Sequence, residues 1–364
     1  MRADADRESL EVFAGKRVLL TGDSGFKGSW LALWLAELGA EVTGLSLPPA
    51  PHNLLFASAR VGFRHVDGDI RDLDLVVRAL KDARPDFVFH LAGQALVRRS
   101  YAEPQATFAT NLIGSVNVLE AVRHTDGIRA LVYVTTDHCY RDRDWLWGYR
   151  ENDELGGRDP YAASKACAEL ALKAYRESFF SARSGLGTAS ARAGNVIGGG
   201  DRAADRVVPD AVAALESGRA VRLRNPAATR SWLHVLDPLC GYLELAAALA
   251  RDPVHFSGAW NFGPAEDGIR SVEDLARTVV AAWGAGRIEH AAELSPPHEA
   301  AALHLSSEKA RRELGWRAIW GFERAAGEAV RWYRAVAAGK PPAAAALEQI
   351  ASYTHDRAAA LPRS

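Results

Sequence analysis

Short apolar runs alternate with longer amphipathic stretches through the first half of the chain, and this alternation limits the fold more than any other feature. Arg17-Val18-Leu19-Leu20 reads as a buried strand. Trp30, Leu31, Trp34, Leu35 and Leu38 then recur at helical spacing, and Gly39 stands where a helix-terminating glycine belongs. Strands are expected at 41–45, 63–66, 86–91, 130–135 and 187–192, with helices at about 72–83, 111–123 and 160–180. This βαβα order predicts an α/β fold, a Rossmann-type doubly wound parallel sheet.

The texture changes after Ala193. Residues 194–205 are rich in glycine and charge, as in a loop. Helices are expected at 207–217, 237–250, 272–283 and 322–336, and strands at 221–223 and 259–262. The expected division is a dinucleotide-binding domain over 14–193 plus about 234–262, and a smaller, partly interleaved C-terminal substrate lobe over 194–233 and 263–340. The tail, 341–364, is alanine-rich behind Pro341-Pro342 and reads as a loosely docked helix.

Charge and cysteine content exclude several classes. Lys+Arg is 44 against Asp+Glu 45, a net charge of -1, so the basic field of a nucleic-acid binder is missing. No uncharged apolar run reaches the roughly 18 residues of a membrane span. Met1 to Glu11 is charged and has no apolar centre, so a cytoplasmic protein is expected rather than a secreted one. Cys139, Cys167 and Cys240 show no CxxC spacing and are too few for a disulfide framework.

Thr21-Gly22-Asp23-Ser24-Gly25-Phe26-Lys27-Gly28 joins the first strand to the first helix. Glycines at 22, 25 and 28 permit a tight turn and bring backbone close to a pyrophosphate at a helix N-terminus. The string Gly22-Asp23-Ser24-Gly25 also resembles a serine-protease nucleophile motif, but no histidine precedes His52, against the trypsin-like order. The second strand ends Leu45-Ser46-Leu47, without the acid usual in NAD sites and without a nearby arginine for NADP. Asp69, in Gly68-Asp69-Ile70, is either an acceptor for an adenine amino group or the cap of the following helix. Leu91-Ala92-Gly93-Gln94 ends the fourth strand with small residues suited to cofactor approach.

Tyr161 and Lys165 stand four apart in an expected helix and share one face. An ammonium beside a phenol favours the phenolate, so a lowered Tyr161 pKa and a base for a sugar hydroxyl are expected. Thr135-Thr136-Asp137-His138 ends the fifth strand, where open α/β sheets place ligands, so Asp137 and His138 can serve as acid and base. A metal site from Asp137, His138 and Cys139 is disfavoured, because neighbouring strand residues point to opposite faces. Asn111 opens an expected helix, as a cap or as a site residue.

Together these features resemble the extended short-chain dehydrogenase/reductase family along nearly the whole chain. Longer strings resemble its CDP-glucose 4,6-dehydratase subfamily: the loop from Thr21 to Leu31, His90 to Tyr101, Trp147 to Glu151, Ala191 to Asp201, and Arg224 to Arg230. The resemblance implies bound NAD, held by the loop residues Gly22, Asp23, Ser24, Gly25, Phe26, Lys27 and Gly28, with Asp69, Ile70, Leu91, Ala92, Tyr161 and Lys165. It implies the catalytic set Thr136, Asp137, His138, Tyr161, Lys165 and Asn111. Tyr161 would take the O4 proton as hydride leaves C4, a base would take the C5 proton, and Asp137 would protonate the departing 6-hydroxyl before hydride returns to C6.

Gln94, Asn195, Arg224, Arg230 and Glu299 are the implied contacts to a sugar nucleotide, with Arg224 and Arg230 suited to a diphosphate. The family pattern has His at position 23 and Lys at 138, where this chain has Asp23 and His138. Imidazole transfers protons near neutral pH, so dehydration of CDP-glucose stays the leading expectation. A 4-epimerase or 4-reductase on the same scaffold is the first alternative, and a silent NAD-binding regulator the second. The 104–123 and 160–180 helices carry apolar stripes, and the resemblance implies that they pair across a two-fold axis, so a homodimer or homotetramer is expected.

Overall fold

A computed structural model describes residues 10–50, 53–183, 185–265, 268–290 and 302–360. The strands are β1 (Arg17–Thr21), β2 (Glu41–Ser46), β3 (Arg64–Asp67), β4 (Phe87–His90), β5 (Ala130–Val134), β6 (Gly187–Ala193), β7 (Asn195–Ile197), β8 (Val221–Leu223), β9 (Thr229–His234), β10 (Gly258–Phe262), β11 (Ile269–Ser271), β12 (Ile288–His290) and β13 (Ala302–Leu303). Seven of them form one parallel sheet in the order β10-β6-β5-β4-β1-β2-β3. Every residue of β4, β5 and β6 is buried, as central strands covered by helices on both faces require. The strand order reverses between β1 and β4, which opens a crevice at their carboxyl ends.

The helices are set by local chemistry. Asp72 caps Leu73–Ala83 by accepting from Leu75 N, and Asp159 caps Pro160–Tyr175 by accepting from Ala162 N, with Pro160 in the first turn. The helical run from Pro104 to Arg123 is continuous but widens into a π-turn at Ala109–Gly114. Asn111 therefore sits inside a π-turn and is no helix cap, a correction to the sequence expectation; π-turns concentrate at functional positions.

The segment expected to be a plain loop after Ala193 contains β7, which pairs with β9. β9 also pairs with β11 and β13, so one short strand organises the second lobe. The glycine run there is a packing device. A Cβ on Gly199 would come within 2.1 Å of Trp332, while Gly199 O accepts from Trp30 Nε1 at 2.9 Å. The tail is not loosely docked: Pro342–Ala360 is a helix that buries Ala345, Ala346, Gln349, Ile350 and Tyr353. Tyr353 Oη donates to buried Asp237 at 2.9 Å, and Trp320 Nε1 donates to Asp356 at 2.9 Å. No described helix is long and apolar enough to cross a membrane.

Candidate active site

The glycine loop is built for an anion. Gly22 has φ +80°, and a Cβ there would lie 2.7 Å from Ala92 N. A Cβ on Gly28 would lie 2.0 Å from Gly22 O, so only glycine lets the helix Phe26–Glu37 sit this close to β1. That helix starts at Gly25 with no side-chain cap and no acid in its first turn, which leaves its N-terminus to a phosphate. These observations fit a dinucleotide diphosphate. Thr21 Oγ1 accepts from Ala92 N at 3.3 Å, and Leu91 N donates to Thr21 O at 3.0 Å, which fixes the ends of β1 and β4 beside the loop. Gly22→Ala is expected to weaken NAD binding at least about tenfold through left-handed strain and the contact with Ala92. Titration of the purified variant with NAD, beside the parent, checks this.

Within the loop the side chains diverge. Ser24 and Ser46 share a hydroxyl hydrogen bond of 2.7 Å. Phe26 packs beside Gly198, where an added Cβ would meet its ring at 3.2 Å. Asp23 is a correction: its carboxylate is fully buried and bonded to His65 Nδ1 at 2.6 Å, so it faces β2 and β3 and not a ligand. Asp69 is another. Asp72, not Asp69, caps the next helix, while Asp69 accepts from Arg71 Nη2 at 2.6 Å and is held below the usual carboxylate range by that guanidinium. Ile70 is buried under Gly114, where a Cβ would come within 2.7 Å of it, so it supports the crevice from beneath.

The expected catalytic residues converge at the ends of β5 and of the helix Pro160–Tyr175. Residues Asp137–Cys139 form a single 3-10 turn, not a strand end, so their side chains fan out in three directions. Asp137 is buried against Gly194, where a Cβ would lie 3.1 Å from Oδ2, and that Oδ2 has no partner. Its Oδ1 accepts from Thr136 Oγ1 at 3.0 Å. The half-buried His138 places its ring 5.8 Å from that of Tyr161 in an edge-on contact. Cys139 is buried on the far side, and no cluster of metal-ligating side chains exists among the described residues.

Tyr161 and Lys165 share a helix face, but the expected pKa effect is reversed. Burial pushes Tyr161 up to about 12, partly opposed by a hydrogen bond with Thr136 and by Arg206, while Asp137 adds to the rise. Desolvation of the phenolate outweighs any attraction here, and Lys165 points elsewhere. A Cβ on Gly93 would lie 3.1 Å from Lys165 Nζ and 3.0 Å from Asn111 Oδ1. Burial also pushes Lys165 down to about 8, partly opposed by Glu169. Asn111 holds this corner together: its Nδ2 donates to Gln94 O and to Ser164 Oγ, both at 2.9 Å, and its Oδ1 accepts from Gln94 N at 2.7 Å.

Other expected contacts separate. Gln94 spends its side chain on Leu96 and Thr107, with Nε2 donating at 3.0 and 3.1 Å, so it shapes the loop rather than facing the crevice. Asn195 opens β7 beside Gly194, close to Asp137. Arg230 lies on β9, buried, and donates to Thr229 O at 2.8 Å. Arg224 is paired with Asp205. Glu299 lies outside the described residues.

Sequence reasoning placed Lys27 in the loop but passed over two groups, Arg206 and His304. Burial, with Arg206 next in weight, pushes Lys27 down to about 8, and Asp137, Lys165 and Asp201 also act on it. That set brings the loop lysine and Arg206 to the crevice. Arg206 is bonded to Asp201 at 2.8 Å. His304, just past β13, is lowered by burial and felt by both Arg230 and Asp137. Neither Arg206 nor His304 sits in a periodic or glycine-marked stretch, so nothing local marked them.

A glycine-loop Rossmann domain, with a Tyr-x-x-x-Lys helix facing its switch point and an interleaved second lobe, defines an extended short-chain dehydrogenase/reductase. Residues 19–328 match the family model described as GDP-mannose 4,6 dehydratase, and the chain belongs to that family. It is 43% identical over 346 residues to the CDP-glucose 4,6-dehydratase of Salmonella typhimurium, covering 93% of this chain and 96% of that one. It is 30% identical to a dTDP-glucose 4,6-dehydratase of Actinoplanes sp., over 88% and 98% of the two chains. Among solved structures, the dTDP-glucose 4,6-dehydratase DesIV of Streptomyces venezuelae, with NAD and TYD bound, superposes with a TM-score of 0.76 at 28% identity, over 90% of this chain and 99% of that one. A UDP-glucose 4-epimerase of Thermotoga maritima shares the fold at a TM-score of 0.77 and 24% identity, over 88% and 99% of the two chains.

Proposed function

We propose that the protein is an NAD-dependent lyase that converts CDP-glucose to CDP-4-keto-6-deoxyglucose and water, a step in deoxysugar biosynthesis. The observation that carries this reading is Asp137: a buried carboxylate with an unpartnered Oδ2, next to a Tyr/Lys pair and a histidine. Oxidation at C4 needs only the Tyr/Lys pair, whereas loss of the 6-hydroxyl needs a further acid. NAD, held by the glycine loop with Tyr161 and Lys165, would supply the hydride acceptor for C4 and the hydride donor for C6. Tyr161 takes the O4 proton, aided by Thr136. The 4-keto group acidifies C5, and His138 takes that proton. Asp137 gives a proton to the departing 6-hydroxyl, which leaves as water, and His138 returns a proton to C5. Tyr161 then holds one proton more and Asp137 one fewer, so loss of a proton from Tyr161 to solvent and uptake of one by Asp137 reset the site.

The lobe of residues 194–233 and 263–340 is assigned to the substrate, with Arg230 and Asn195 directed to its diphosphate. A panel of CDP-, dTDP-, UDP- and GDP-hexoses, assayed for a 4-keto product, tests the reading. Formation from CDP-glucose alone supports it; interconversion of 4-epimers without water loss would establish the epimerase alternative, and no reaction with any of them the regulator.

His138→Ala is expected to retain NAD and substrate binding and to lose exchange of the C5 hydrogen with solvent by about a hundredfold. His138→Lys should recover part of it. Mass spectrometry of product formed in deuterated water reads both. The protein is further read as a cytoplasmic homodimer or homotetramer: its three cysteines are thiols, and Ile113, Leu170 and Phe179 are exposed on the helices expected to pair. Sedimentation should give a mass at least twice the 39.3 kDa of one chain.

A further inference from the structure

An NAD site ordinarily reads the adenosine ribose with an acidic side chain at the end of the second strand. Here β2 ends at Ser46, followed by Leu47. A carboxylate reaches this corner from the next strand. Asp23 of the glycine loop bonds His65 Nδ1 at 2.6 Å, and His65 Nε2 bonds Asp67 Oδ1 at 3.0 Å. The imidazole is 5% exposed and Asp23 is fully buried, whereas the Asp67 carboxylate is 64% exposed. Gly44 makes room for this row, since a Cβ there would lie 1.9 Å from Asp23 Oδ2. Phe56 closes on the His65 ring at 4.9 Å, edge-on.

Strand alternation sorts the neighbours. Arg64 and Val66 line a groove with Thr43, Leu75 and Arg78, so His65 and Asp67 point to the other face, that of the glycine loop. Asp67 is in register with Ser46 at the carboxyl edge of the sheet, and Ser46 is bonded to Ser24 of the loop. The nearby Arg71 is engaged by Asp69 through Nε at 2.9 Å and Nη2 at 2.6 Å.

We propose that Asp67, oriented through His65 by Asp23, replaces the missing β2 carboxylate: it accepts hydrogen bonds from the ribose hydroxyls of NAD and repels the 2′-phosphate of NADP. The inference rests on the glycine loop being a dinucleotide site. A carboxylate with a lone pair on the imidazole keeps its remaining acceptor positions for a diol, and its charge opposes a phosphate dianion. Asp67 is the specificity-determining residue; His65 and Asp23 are positioning residues.

Tryptophan-fluorescence titrations of the full-length protein with NAD and with NADP test it. The parent is expected to prefer NAD. Asp67→Asn should weaken NAD about tenfold, strengthen NADP, and lower the preference about a hundredfold. Asp67→Glu should keep the preference, and His65→Asn should reduce it in the same direction by less. Because Asp67 is largely exposed, its replacement leaves the fold intact, which the thermal melt checks. A preference in Asp67→Asn within about twofold of the parent's overturns the assignment. A parent that binds neither dinucleotide overturns the glycine-loop reading itself, and this inference with it.

Discussion

Tyr161→Phe is expected to lower turnover of CDP-glucose about a thousandfold while leaving the protein folded. The phenol lies at the amino-terminal turn of the helix Pro160–Tyr175 and is 8% exposed. Phenylalanine keeps the ring and its edge contact with His138. It loses the one oxygen able to take the O4 proton. The lost hydrogen bond with Thr136 costs about 1 kcal/mol, too little to unfold a chain of this size. Because burial holds Tyr161 at about 12, the bare chain carries a neutral phenol at pH 7. Bound NAD, held by the glycine loop and Lys165, would supply a positive charge that favours the phenolate. Single-turnover absorbance at 340 nm, with bound NAD and saturating substrate, reads the first hydride transfer directly. A rate in the variant within about tenfold of the parent's would remove Tyr161 from the mechanism.

Glu169→Ala is expected to destabilise the fold by about 3–5 kcal/mol, since it strands a buried guanidinium. Glu169 stands on the catalytic helix one turn beyond Lys165, and its side chain and that of Arg192 are each 3% exposed. Arg192 Nη2 donates to Glu169 Oε2 at 2.6 Å and Nε donates to Oε1 at 2.9 Å. Ser190 donates at 2.8 Å, Thr135 donates as well, and Arg192 Nη1 donates to Tyr140 Oη at 2.7 Å. Burial alone would raise the carboxyl, but Arg192 and these donors hold it below its ordinary value. The stabilisation is thus complete above the unfolded carboxyl's pKa, about 4.3, and is lost as pH falls through the lower folded value. Urea unfolding of Glu169→Ala, Arg192→Ala and the double variant provides the measurement. The double variant should lose less than the sum of the singles; simple additivity would show that the pair is not coupled.

Much of the fold could be read from the chain because its signals are local. The strand 221–223 and the helix 272–283 fall where the pattern puts them, and the central strands agree to within a residue or two. Apolar period, cap residues and glycine spacing act over a few positions, so they survive in one dimension. β7, β9, β11 and β13 escaped in whole or part, because each is short and is a strand only through its neighbours. The tail was legible as a helix but its firm docking was not, because it is Tyr353 on Asp237, 116 residues distant, that fastens it.

For the site, the sequence by itself determined the glycine loop, the Tyr161–Lys165 spacing and the Thr136-Asp137-His138 run. A turn that cannot bear a Cβ and two side chains one helical turn apart are properties of adjacent residues. Only the tertiary structure decided which way each group faces and what proton it can hold. It turned Asp23 onto His65, 42 residues away, and put Arg206 and Lys27 at the crevice. It raised Tyr161 where an i, i+4 lysine alone would have lowered it. Burial and charge contacts between distant segments set those outcomes, because desolvation depends on everything packed around a group and not on its neighbours in the chain.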